Sequence, residues 1–85
     1  MSDPIQITVL CFAGLKEKIG TSKLSFSLPA NSSCANFKER LVTAHPEAKV
    51  YSSHLLVARN GGYLNDSDII NNQDELACFP PVSGG

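Results

Sequence analysis

From Ile5 to Cys11 every second residue is apolar (Ile5, Ile7, Val9, Cys11), and the alternate set, Gln6, Thr8, Leu10 and Phe12, also turns apolar toward its end. A period of two marks a strand, and apolar side chains on both of its faces suit a central strand covered above and below. In a chain of 85 residues that one strand commits most of the fold. A domain this small buries only about 60% of the surface its unfolded chain exposes, which is enough for one sheet and one covering layer. Chemistry then has to sit at an edge or a terminus, because there is little room for an interior pocket.

The remaining segments supply the partners such a strand needs. LKEKIG, closed by Gly20, is long enough for one or two helical turns after Ala13-Gly14. Leu24, Phe26 and Leu28 alternate with Ser25 and Ser27 up to Pro29, a half-buried strand that pairs with the first in hairpin fashion. Cys34, Phe37, Leu41 and Ala44 share one face of a helix capped by Ser32 or Ser33 and stopped by Pro46. Leu55 to Arg59 predicts another strand, Asn60-Gly61 a tight turn, and Tyr63-Leu64 the start of the return strand. Asn65 to Asn72 is rich in Asn, Asp and Ser and predicts an irregular connector tucking Ile69 and Ile70 under the sheet. Glu75 to Phe79 predicts the last strand.

This order gives an α+β domain, a mixed sheet of about five strands with one principal helix on one face. Its layout resembles the ubiquitin-like β-grasp, which implies that the first and last strands lie side by side, parallel, at the sheet centre. No repeat, low-complexity run or linker divides the chain, so residues 1–79 form the domain and residues 80–85 an extended tail.

Charge and cysteine content exclude several function classes. Seven Lys+Arg against eight Asp+Glu leave no basic footprint for a nucleic acid. No apolar run approaches the 18 to 20 or so residues that span a bilayer, and MSDPIQ lacks the layout of a signal peptide, so a cytoplasmic protein without a membrane partner is expected. Cys11, Cys34 and Cys78 are odd in number and scattered, which fits reduced thiols better than a disulfide framework.

The informative segment is Phe79-Pro80-Pro81-Val82-Ser83-Gly84-Gly85. Two prolines stiffen the chain as it leaves the last strand and point it away from the domain. Gly84 and Gly85 can thread a channel too narrow for any side chain. The reacting group is then the α-carboxylate of Gly85, ionised at cellular pH and a poor electrophile until activated. The chain carries neither a G-x-x-x-x-G-K-[ST] loop nor a G-x-G-x-x-G turn to hold ATP phosphates, so a second protein supplies the nucleotide. Adenylation makes a carboxylate oxygen a leaving group, and sulfur attack then yields a thiocarboxylate, a nucleophilic sulfur on a mobile arm.

That tail, with the opening strand ending Cys11-Phe12-Ala13 and the approach Asp74-Glu75-Leu76-Ala77, resembles the small subunit of molybdopterin synthase, the MoaD-like sulfur carriers, over essentially the whole chain. The resemblance implies a tail that enters a large synthase subunit and donates sulfur, twice per product, to cyclic pyranopterin monophosphate, forming the dithiolene of molybdopterin. It implies an E1-like adenylyltransferase and sulfurtransferase partner that uses ATP, no cofactor bound to this chain, and a heterotetramer of two small and two large subunits. Residue by residue, Gly85 carries the acyl-adenylate and thiocarboxylate, and Gly84 threads the channel beside it. Phe12, Phe79, Pro80, Pro81, Val82 and Ser83 form the partner interface, and the catalytic side chains belong to the large subunit. The chain departs from the family in two places: Asn72-Gln73 stand where a glycine often precedes the Asp-Glu pair, and Cys78 stands where an aromatic residue is frequent.

Other chemistries fit the residues less well. Cys11, Cys34 and Cys78 read as small buried hydrophobes, not as reactive thiols, and three scattered cysteines cannot meet an iron-sulfur spacing. His45 and His54 have no cysteine at ligand spacing, and Ile70 spoils the calcium-loop pattern begun by Asp66 and Asp68, so no metal site is expected. Lys16, Lys18 and Lys23 read as a solvated surface. Phe12 suits either the core or an interface. A ubiquitin-like modifier conjugated through Gly85, or a thiamine-type sulfur carrier, would need the same activated terminus. The bulky Phe79-Pro80-Pro81 base suits one fixed partner better than many targets, which favours the molybdopterin synthase carrier.

Overall fold

The computed structural model describes residues 3–51 and 54–80. Strand β1 (Ile5–Cys11) runs antiparallel to β2 (Lys23–Leu28) and parallel to β5 (Glu75–Phe79), with Val9 opposite Leu76 and Cys11 opposite Cys78. Strand β3 (Leu56–Arg59) pairs antiparallel with β5 and with the two-residue β4 (Gly62–Tyr63), giving the sheet order β2-β1-β5-β3-β4. The first and last strands are therefore the inner parallel pair expected of a β-grasp. β5 takes the middle position and β1 lies beside it.

The inner face of the sheet carries Ile5, Ile7, Val9, Cys11, Leu28, Val57, Leu76 and Cys78, all buried. Helix α2 (Cys34–Ala44) covers this face with Cys34, Phe37 and Leu41, and the Phe37 ring meets Phe26 of β2 edge-on at 5.9 Å. Its start is a full capping box: the Ser33 hydroxyl accepts from the Asn36 N–H at 3.1 Å while the Asn36 side chain accepts from the Ser33 N–H at 3.0 Å. The apolar stripe is one residue shorter than expected, because Ala44 in the last turn is exposed. His45 ends the helix as Pro46 requires, but the chain continues as a 3₁₀ helix, Pro46–Tyr51, that buries Ala48.

The link between β1 and β2 holds the short helix expected there, α1 (Ala13–Ile19), which buries Leu15 and closes at Gly20 in the left-handed region. In the connector after β4, Ile70 is buried, as expected, but Ile69 is 46% exposed and pairs with Ser33 in an isolated bridge. The connector reaches the core with one isoleucine because its backbone is spent bridging to the start of α2. The Cys34 N–H donates to Asp68 O at 2.8 Å and the Ile70 N–H to Ser32 O at 2.9 Å. At the β3–β4 turn, Asn60 (φ 54°) and Gly61 (φ 83°) both take the positive dihedrals that favour this residue pair.

Candidate functional site: the tail root and the outer sheet face

Phe79 is the last residue of β5, and three contacts hold the place from which the tail starts. The Phe12 N–H donates to Cys78 O at 3.2 Å, Leu56 of β3 lies opposite Phe79 in the ladder, and the Phe12 and Phe79 rings stack with centroids 4.9 Å apart and planes 13° apart. Pro80 follows, half-buried. Pro81, Val82, Ser83, Gly84 and Gly85, which carry the expected chemistry, lie outside the described residues.

The ring of Phe12 is not part of the core. It is 41% exposed, on the face of the sheet that α2 does not cover. The expectation that β1 is covered on both sides is therefore corrected: Ile5, Ile7, Val9 and Cys11 are buried, but Leu10 is only half-buried and Phe12 stands in solvent. Around this pair the outer face adds residues not singled out in the sequence. Leu56 (37% exposed), Ala58 and Ala77 follow from the ladder of β3 and β5, and Tyr63 (70% exposed) lies opposite Ala58 on β4. A groove of about 400 Å³ runs along this face, lined by Leu10, Ala58, Asn60, Gly61, Glu75, Ala77 and Phe79. The apolar character of the alternate set in β1 was the signal that could have found it: a two-faced strand in a sheet with one covering layer leaves an apolar face uncovered.

No side chain of this surface is arranged as a nucleophile or a general base. All three cysteines are free and buried, and burial pushes their thiols above the ordinary range, Cys78 furthest, with further upward push from Cys11 and Cys34 beside it. Asp66 and Asp68 serve the turn: Asp66 pairs with Lys38 at 2.9 Å, and the Asp68 carboxylate accepts from the Asn65 N–H at 2.7 Å. Among the described residues no three His, Cys, Asp or Glu side chains come together in a way that could hold a metal ion, and no helix is long and apolar enough to cross a membrane.

Comparison with known proteins agrees with this picture of a small β-grasp domain. The chain is similar to the molybdopterin synthase sulfur carrier subunit of Arabidopsis thaliana, 36% identical over 95% of this chain and 84% of the relative. It is 39% identical to the protein of that name from Dictyostelium discoideum, over 94% of this chain and 96% of the relative. The crystal structure of SAMP1 from Haloferax volcanii superposes with a TM-score of 0.79 at 31% identity, covering 94% of this chain and 99% of that one. The sequence pattern of the ThiS family spans residues 9–85, from the middle of β1 through the tail, and with relatives of this likeness over nearly its whole length the chain belongs to the ThiS family.

Proposed function

We propose that this chain is the sulfur carrier subunit of a molybdopterin synthase, working through a thiocarboxylate on Gly85. The observation that carries the reading is the likeness, over 94–95% of the chain, to relatives that bear that name. The Phe79-Pro80-Pro81 base and the stack at its root of an exposed Phe12 on a half-buried Phe79 support it. The carboxylate of Gly85 attacks the α-phosphorus of ATP on an E1-like partner, pyrophosphate leaves, and a sulfur nucleophile then displaces AMP from the acyl carbon. The thiocarboxylate sulfur attacks a carbon of cyclic pyranopterin monophosphate in the large subunit and displaces the oxygen substituent there, and water then cleaves the bond between that sulfur and the acyl carbon, leaving the sulfur on the pterin and returning Gly85 to its carboxylate. Two such donations complete the dithiolene.

A carrier subunit implies a large-subunit partner, and the outer sheet face is the docking surface, with Phe12, Phe79, Pro80, Pro81, Val82 and Ser83 in the contact. Gly84 lets the arm enter the partner's channel. The complex holds two small and two large subunits, the general acids and bases are the partner's, and ATP is bound by the activating enzyme, not by this chain. The cytoplasm suits a protein whose three thiols are free.

A second reading has an observation of its own. The Haloferax volcanii protein, 31% identical in its crystal structure, bears the name of a small archaeal modifier, and the same adenylated Gly85 could acylate a lysine. Incubation with an activating enzyme, ATP and a sulfur donor, followed by intact mass spectrometry, separates the two. The carrier exchanges one oxygen for sulfur and loses it again to the pterin precursor when the large subunit is added. Adducts on lysines without that exchange overturn the carrier reading in favour of the modifier.

A further inference from the structure

Gly14 is the second residue of α1, a position where alanine would ordinarily favour the helix. Here a Cβ on Gly14 would collide with the hydroxyl of Tyr51, while the nearest ring carbon of Tyr51 stands 3.2 Å from it. Tyr51 ends the 3₁₀ helix, and its ring packs partly buried against the core. The turn that Gly14 belongs to also holds Phe12: the Phe12 carbonyl accepts from the Leu15 and Lys16 N–H groups at 3.2 and 3.3 Å, and its own N–H is tied to β5. Ala13 bridges the two at φ 51°, a left-handed backbone that leaves little slack between the Phe12 ring and the Gly14–Tyr51 contact. A chain of contacts therefore runs from Tyr51 through Gly14 and the first turn of α1 to Phe12, and by ring stacking to Phe79 at the root of the tail.

We propose that Gly14 and Tyr51 are positioning residues for sulfur delivery: their close contact sets where α1 begins, hence where the Phe12 ring stands and from what geometry the tail departs at Phe79. The proposal rests on the sulfur carrier reading for its consequence and on the contact alone for its mechanism. A misplacement of about 1 Å at the reacting atom can cost up to about a hundredfold in rate, so a modest shift of the tail root is enough to be read.

The test uses the full chain in three variants, Gly14→Ala, Tyr51→Leu and the double variant, with two readouts. In NMR, Gly14→Ala is expected to move the ring-proton resonances of Phe12 and Phe79, and in a reconstituted synthase reaction it lowers sulfur transfer by about tenfold. Tyr51→Leu alone loosens the contact and moves the same resonances by less. Combined with Gly14→Ala it removes both the hydroxyl and the ring carbon that a Cβ would meet, so the double variant returns toward the parent in ring resonances and in transfer. A simple helix-propensity effect would not show that recovery. Ring resonances unchanged in Gly14→Ala, or a loss that Tyr51→Leu does not relieve, overturns the proposal. If the parent chain forms no thiocarboxylate, the carrier reading fails, and the resonances still decide whether the contact places the rings.

Discussion

Phe12 and Phe79 come from opposite ends of the chain and meet as a parallel stack, one ring just beyond β1 and the other closing β5. Because the two strands are themselves parallel neighbours in register up to Cys11 and Cys78, the stack continues the ladder by one more step on the uncovered face. An offset stack of this kind is worth about 0.5–1.5 kcal/mol beyond the area it buries. Replacing Phe12 or Phe79 by alanine is expected to weaken association with the large subunit by about tenfold or more, measured by titration calorimetry. Phe12→Ala lowers the melting temperature by roughly 2–8 °C, the loss of the stack, since much of that ring already faces water. Affinity equal to the parent's in both variants would place the docking surface elsewhere.

Removal of Gly85 is expected to abolish formation of the thiocarboxylate and all sulfur donation, read by mass spectrometry and by pterin product. The melting temperature is expected to stay within about 1 °C of the parent, as for most changes at a chain terminus. Sulfur donation surviving the deletion would remove Gly85 from the chemistry.

Gln73 sits at φ 72°, donating its N–H to Gln6 O at 2.7 Å in the turn that leads into β5. A left-handed backbone costs a residue with a Cβ about 1–2 kcal/mol, and glycine gives back roughly 0.5–1 of that through the entropy of the unfolded chain. Gln73→Gly is therefore expected to stabilise the fold by about 0.5–1 kcal/mol in urea titration. Without a glycine at position 73 the turn carries that strain.

Arg59 Nη1 donates to Asp74 Oδ2 at 2.8 Å and to Ile69 O at 2.9 Å, and the same carboxylate oxygen accepts from the Asn71 N–H at 2.8 Å. This half-buried cluster ties β3, the connector and the entry to β5 together. Arg59→Met leaves a carboxylate without its cation and a carbonyl without its donor. The expected loss is about 2 kcal/mol, between the values of exposed and buried pairs, or roughly 8–15 °C in melting temperature.

The three thiols set an alkaline limit. Their folded-state pKa values are raised by burial, so above the ordinary thiol range near 8.5 the unfolded chain loses protons that the folded chain keeps. Stability is complete below that pH and falls as pH rises beyond it. Melting temperatures are expected to decline from about pH 8.5 upward, and a thiol reagent at neutral pH should label the cysteines only after denaturant is added. Replacing Cys78 by alanine removes part of the alkaline decline.

Local chemistry carried most of the fold into the sequence. The Ser33 cap, the stop at Pro46, the Asn60-Gly61 turn and the bounds of β1 and β5 are each decided within a few residues, and each stands where the pattern puts it. The features that escaped depend on partners distant in sequence. The 3₁₀ helix after Pro46 has no period of its own, and its place comes from burial of Ala48 and from Tyr51 against Gly14. Ile69 and Ile70 are equivalent by composition, and only the bridge to Ser33 separates the exposed one from the buried one. The terminal Gly84-Gly85 stood out as candidate chemistry in the sequence, and it lies outside the described residues. Leu10, Leu56, Ala58, Ala77 and Tyr63 were not legible as one surface, because no sequence spacing joins strands that become neighbours only in the folded sheet.

β5 stands in the middle of the sheet, bonded to β1 on one side and β3 on the other. Before residues 75–79 are synthesised, the molecule is two separate strand pairs, β2–β1 and β3–β4, with no ladder between them, and isolated pairs of that kind are marginal in water. Folding therefore waits for the segment that immediately precedes the tail. A chain cut short before β5 lacks both the outer sheet face and the strand from which residues 80–85 continue.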